Sequence, residues 1–157
     1  MERGKLWRTA FGNNVRMLDL NSAGLTPDMA TQRAADGVSS AAWILGHLVT
    51  VRYRLRRMMG GGVLEDHPVW EQHYARGGAG ESAHLDWEAL RECFRVSDQA
   101  LKETFLQFEE WDRPTMNPAL GAEQPLEQVL AFLYMHECYH LGQIGIIRKL
   151  HGLPGAI

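Results

Sequence analysis

The sequence predicts an all-α four-helix bundle. Four segments carry apolar residues at helical spacing, sustained two-residue alternation is absent, and one connection of about 20 residues is long enough to cross a bundle. A short turn there would force antiparallel neighbours. The 157 residues fit one domain spanning 1–157, and a chain of this size buries about two-thirds of its unfolded surface, so it needs no disulfide staple.

The first helix is expected from about Lys5 to Leu20, with Leu6, Phe11, Val15 and Leu18 as its stripe, and it ends near Asn21-Ser22-Ala23-Gly24. After a polar stretch, Ser39 or Ser40 caps the helix implied by AAWILGHLVTVRYRLRRMM, which Gly60-Gly61-Gly62 stops because glycine gains little from helical order. Val63 to His84 forms the crossover, with Trp70 and Tyr74 as anchors. A third helix is expected from about Asp86 to Glu110. The three prolines of WDRPTMNPALGAEQP interrupt the chain, and a fourth helix runs from Leu126 to about Leu150, closed by His151-Gly152-Leu153-Pro154.

Composition narrows the function classes. With 45% hydrophobic and 22% charged residues the chain is neither disordered nor fibrous, and 16 basic against 19 acidic residues leave no broad cationic footprint for nucleic acid. The basic run RYRLRR, Arg52 to Arg57, spreads around a helix rather than forming one groove-reading face. No long apolar run suggests a membrane span, and the charged start does not resemble a signal peptide. Two cysteines, Cys93 and Cys138, are compatible with a reducing compartment. A cytoplasmic location is expected.

His136-Glu137-Cys138-Tyr139-His140 matches the zinc-protease pattern H-E-x-x-H. That reading lacks its later parts. No Asp or Glu follows His140, and Gln143 and Ile146 occupy the Gly and His positions of the longer motif. On a helical wheel His140 falls about 40° from His136, and Val129, Phe132, Leu133, Ile147 and Leu150 share that direction, whereas Glu137 stands on the shoulder at about 100° and Cys138 faces away. Two readings of the histidine pair stand: ligands of one shared metal ion, or hydrogen-bonded histidines of a core or cleft. His47 lies mid-helix in the second helix, also facing apolar neighbours, and a third imidazole favours the metal. His67, His73 and His84 belong to the crossover, where a surface role is expected.

SSAAWILGHL, Ser39 to Leu48, and MHECYHLGQI, Met135 to Ile144, together resemble the paired motifs of the DinB/YfiT-like superfamily, over nearly the whole chain. The resemblance implies an up-down-down-up four-helix bundle with a long crossover between its second and third helices, and His47, His136 and His140 around a divalent ion. It also implies a homodimer. Zinc is the expected metal; imidazole also accepts nickel, iron and other first-row ions, manganese among the alternatives. An open coordination position would serve two chemistries on small molecules: transfer of a low-molecular-weight thiol of bacillithiol or mycothiol type, which some relatives suggest and which leads, or metal-dependent hydrolysis. A non-enzymatic metal-containing stress or interaction protein is the competing class. Glu137 could orient a neighbour, pair with a basic residue or lie at the bundle edge. Gln143 could face the metal cavity or support a ligand, Trp43 could wall the cavity or pack in the core, and Arg54 could attract an anionic substrate or form a salt bridge.

Overall fold

The structure, a computed structural model, describes residues 2–62, 67–74 and 86–156, with side chains from 71 onward in the second of these stretches. Its elements in chain order are α1 (Glu2–Ser22), α2 (Pro27–Thr31), α3 (Ala41–Met58), α4 (His67–Tyr74), α5 (Trp87–Gln107), β1 (Pro114–Asn117), β2 (Ala122–Pro125) and α6 (Leu126–Leu150). No described helix is long and apolar enough to cross a membrane.

The long helices start where side-chain caps permit. Ser40 accepts from the Trp43 N–H at the head of α3, and Asp86 accepts from Ala89 at the head of α5, each satisfying an N–H that has no partner within its helix. α3 gives way at Met59, and Gly60 follows with φ 80°. The capping choice between Ser39 and Ser40 therefore falls to Ser40.

α1, α3, α5 and α6 form the bundle, with α1 and α3 each packed against both α5 and α6. α1 and α6 run parallel: Trp7 bonds Glu127, Asn14 bonds Glu137 and Asn21 bonds the Leu141 carbonyl. α1 and α5 run antiparallel, since Asp19 meets Arg91 and Arg95 while Gly12 lies beside Lys102. α3 follows α5, with Ile44 and Leu45 clustered with Leu90 and Phe94 at one end, and Leu55 with Leu101 and Phe105 at the other. The order is up-down-down-up, as the family resemblance implies.

The core divides into two apolar clusters. Between them lies a polar layer to which each bundle helix contributes one buried residue: Asn14, Arg52, Asp98 and Glu137. Arg52 reaches Glu137 through two nitrogens at 2.7 Å each. It also stands 3.7 Å from the Phe94 ring centroid and donates to the Phe11 carbonyl at 3.2 Å. Asn14 donates to Glu137 Oε1 at 2.9 Å, and Lys102 pairs with Asp98 at 2.5 Å. A charge this deeply buried is tolerable only when paired and hydrogen-bonded, and Arg52 has both kinds of support.

Four sequence expectations need correction. The proline-containing segment before α6 is an antiparallel hairpin, Pro114 pairing with Pro125 and Asn117 with Ala122. The two prolines within its strands, Pro114 and Pro125, sit opposite each other at the open end, where neither needs a ladder N–H, and Gly121 turns the chain with φ 64°. The hairpin region also caps α6: the Arg113 and Trp111 carbonyls accept from the Leu126 and Glu127 N–H groups, both at 2.9 Å. Second, the crossover contains α4, and the polar stretch after α1 contains α2, capped by Thr26. Tyr74 is buried, as expected of an anchor, whereas the Trp70 side chain lies outside the described residues. Third, α5 ends at Gln107 rather than Glu110, with Phe108 already extended.

The fourth concerns the faces of α6. Its buried residues include Leu126, Leu130, Leu141 and Ile144 besides Val129, Leu133 and Ile147, which moves the centre of the buried face to about 80° on the same wheel. Glu137 is thus near the centre of that face, not on its shoulder, and the two histidines occupy its border. Leu150, expected inside, is exposed at the helix end.

Candidate metal centre

His47 comes from α3, and His136 and His140 come from successive turns of α6. The antiparallel packing of these helices brings one nitrogen from each ring within 4.8 Å of the other two. His47 Nε2 is 3.3 Å from His136 Nε2, and His140 Nε2 is 3.1 Å from the same atom. Nitrogens bound to one tetrahedral zinc at about 2.1 Å stand about 3.4 Å apart, so these spacings suit a shared ion. His47 is buried while His136 and His140 are half-buried, which places the cluster at the edge of the core with one side toward solvent.

The ring tautomers strengthen this fit. His47 Nδ1 is 2.8 Å from the Tyr74 carbonyl, which can only accept, so Nδ1 carries the proton and Nε2 presents a lone pair. His140 Nδ1 is 2.6 Å from Gln143 Oε1 and is fixed in the same way. Both lone pairs point at His136 Nε2, whose neutral ring can offer only one hydrogen there. At least one lone pair is therefore left without a hydrogen, and a central cation satisfies all three. The donor set therefore fits a divalent metal ion.

Electrostatics keeps the rings ready to bind. Burial pushes the His136 pKa down to about 4, assisted by the charges of His140 and His47. His47 is lowered by burial, against the raising effect of its Tyr74 hydrogen bond, with His140 and Arg54 adding to the depression. Burial also lowers His140, against its bond to Gln143. Neutral imidazole is the ligating form, so none of the three must first lose a proton at neutral pH.

The surrounding residues resolve most of the alternatives. Trp43 stacks on His47 with ring planes 4° apart and centroids 5.3 Å apart, walling the site from within its own helix. Gln143 supports His140 and donates to the Tyr139 hydroxyl at 3.2 Å. Arg54 forms a salt bridge with Glu71 of α4 at 3.0 Å. Glu137 has both carboxylate oxygens engaged by Arg52 and one also by Asn14, so it pairs with a basic residue, as one of the expected options had it. Cys138 turns to Asn14 and away from the histidines. His73 and His151 do not join the cluster, and the His67 side chain and His84 lie outside the described residues.

The DinB superfamily model matches residues 16–144, a span that contains all three histidines, the whole of α3 and α5 and parts of α1 and α6. The chain belongs to the DinB superfamily. Among solved structures, this DinB-family chain is similar to YfiT from Bacillus subtilis, described as a probable metal-dependent hydrolase with an unusual four-helix bundle topology. The TM-score is 0.70 at 13% identity, over 98% of this chain and 90% of that one. At that identity the likeness shows the shared fold. No curated protein sequence matches.

Sequence reasoning missed two partners of the site. The Tyr74 carbonyl is a backbone group and leaves no residue-type signal. Arg52 was hidden in a run of basic residues that reads as surface.

Proposed function

We propose that this DinB-family protein is a metal-dependent enzyme acting on small molecules, with His47, His136 and His140 as the ligands and hydrolysis as its reaction class. The observation that carries the reading is the convergence of three imidazole nitrogens, two of them with fixed tautomers, on one point at the solvent-facing edge of the core. A divalent ion bound there would act as a Lewis acid and lower the pKa of a bound water. The protein's part is to present neutral nitrogens, hold them with Tyr74 and Gln143, and wall one side with Trp43. Glu137 does not serve as a base in this scheme, because Arg52 and Asn14 occupy its oxygens. The likeness to YfiT, a probable metal-dependent hydrolase, favours hydrolysis over the thiol transfer that leads from sequence. Zinc is the proposed metal, and the enzyme is proposed to be a cytoplasmic homodimer.

The test loads the protein with zinc, nickel, manganese or iron and screens it against small esters and amides. In parallel, low-molecular-weight thiols are offered with a chlorinated or epoxide electrophile. Ester or amide turnover above that of free metal, and lost in His136→Ala, supports the proposal. Thioether formation alone would transfer the site to thiol chemistry. Metal uptake with neither activity would favour the non-enzymatic class, and sedimentation velocity tests the dimer.

A further inference from the structure

The crossover helix α4 meets the candidate site at one point that serves two purposes. The Tyr74 carbonyl accepts the His47 Nδ1 proton at 2.8 Å, and the Tyr74 ring lies on the backbone of Gly46, the residue immediately before His47. A Cβ at position 46 would stand 2.6 Å from Tyr74 Cζ and closer still to two other ring atoms, so any side chain there would displace the ring. Gly46 is buried mid-helix, where glycine is unfavourable by about 1 kcal/mol relative to alanine. The close approach of Tyr74 gives the glycine a reason. On the outer side, Arg54 and Arg57 of α3 both reach Glu71 of α4, at 3.0 and 3.7 Å.

We propose that Tyr74 is a positioning residue of the metal centre and that docking of α4 on α3 is coupled to ion capture. The proposal rests on the three-histidine reading. Docked, α4 fixes the His47 tautomer that presents Nε2 to the ion. Undocked, that nitrogen can carry the proton instead and the ring is free to turn away. Linkage makes the effect reciprocal: an ion held by His47 stabilises the docked helix by the same factor by which docking raises affinity. Loss of a hydrogen-bond partner behind a metal-binding histidine typically weakens binding about 10–100-fold.

The experiment measures zinc affinity by competition with a chromophoric chelator for the full chain, Gly46→Ala, Tyr74→Phe, Tyr74→Ala and His136→Ala. It also measures amide exchange across residues 67–74 with and without zinc. Tyr74→Phe, which keeps the ring and the carbonyl, should bind as the parent does. Gly46→Ala and Tyr74→Ala should bind about tenfold more weakly, and zinc should slow exchange at 67–74 in the parent by a comparable factor. If Gly46→Ala loses its helical signal, the Tyr74 pair carries the comparison. Equal affinity of Tyr74→Ala and Tyr74→Phe, with exchange at 67–74 indifferent to zinc, overturns the coupling even where His136→Ala abolishes binding. A parent protein that takes up no zinc overturns the three-histidine reading and the coupling with it.

Discussion

Arg52 and Glu137 face each other across the middle of the bundle with two 2.7 Å contacts, and neither side chain is more than 1% exposed. They lie in the polar layer between the two apolar clusters, and Glu137 directly follows a candidate metal ligand in sequence. Removing one member leaves the other charge buried without its partner. Glu137→Leu alone should therefore lower the unfolding free energy by about 3–5 kcal/mol, whereas Arg52→Met with Glu137→Leu should lose much less than the two single changes combined. Urea denaturation of the four proteins of that cycle checks this, and additive losses would show that the pair does not act as a unit.

Metal uptake separates the two groups of histidines. His136→Ala removes the nitrogen that both other rings face, at 3.3 and 3.1 Å, and should lower zinc affinity by at least about tenfold. His73→Ala should leave it unchanged. Elemental analysis after matched purification and reconstitution gives the occupancies, and equal values for the two variants would remove the assignment.

Much of this arrangement was legible in the sequence because helical period and histidine spacing are local signals. His136 and His140 stand one turn apart by construction, and His47 could be singled out as an inward imidazole on another apolar helix. The hairpin was not legible: strands of four residues are too short for alternation to register, and their prolines read as breakers. Nor was the true inner face of α6. The histidine-centred wheel gathered Val129, Leu133 and Ile147 but left out Leu126, Leu130, Leu141 and Ile144, whose inclusion turns Glu137 inward. Arg52 completes the error, since a buried arginine is recognisable only once its carboxylate partner from another helix is known.

Gln143 tests the support behind His140. Its Oε1 accepts the His140 Nδ1 proton at 2.6 Å while its Nε2 donates to Tyr139, so the amide is held at both ends. Gln143→Ala should weaken zinc binding by about tenfold without a comparable loss of stability, because the amide lies at the bundle edge. Gln143→Glu, which retains an acceptor, should recover most of the affinity. Chelator competition and urea denaturation on the same samples separate the two effects, and a parallel loss in both would indicate a packing role instead.

Acidification gives the last test, and its sign follows from the direction of the shifts. His136 has a folded pKa near 4 against an ordinary value of 6.5, and burial also lowers His47 and His140. Between those limits the unfolded chain binds protons that the folded chain refuses, so the metal-free protein should be most stable above about pH 7 and lose stability as pH falls toward 4. Below that point His136 is protonated in both states and contributes no further slope. Because its ring is partly solvated, the contribution is discounted to roughly 1–2 kcal/mol, a shift of a few degrees in Tm for a chain of this size. Between pH 6.5 and 5 ordinary carboxylates remain mostly ionised, which isolates the histidines in that window. Thermal unfolding of metal-free protein across it should show Tm falling with pH, and His136→Gln should flatten the decline. With zinc bound the decline should steepen, since protons and the ion compete for the same nitrogens. An identical slope with and without zinc would mean that the ion is not held by these rings.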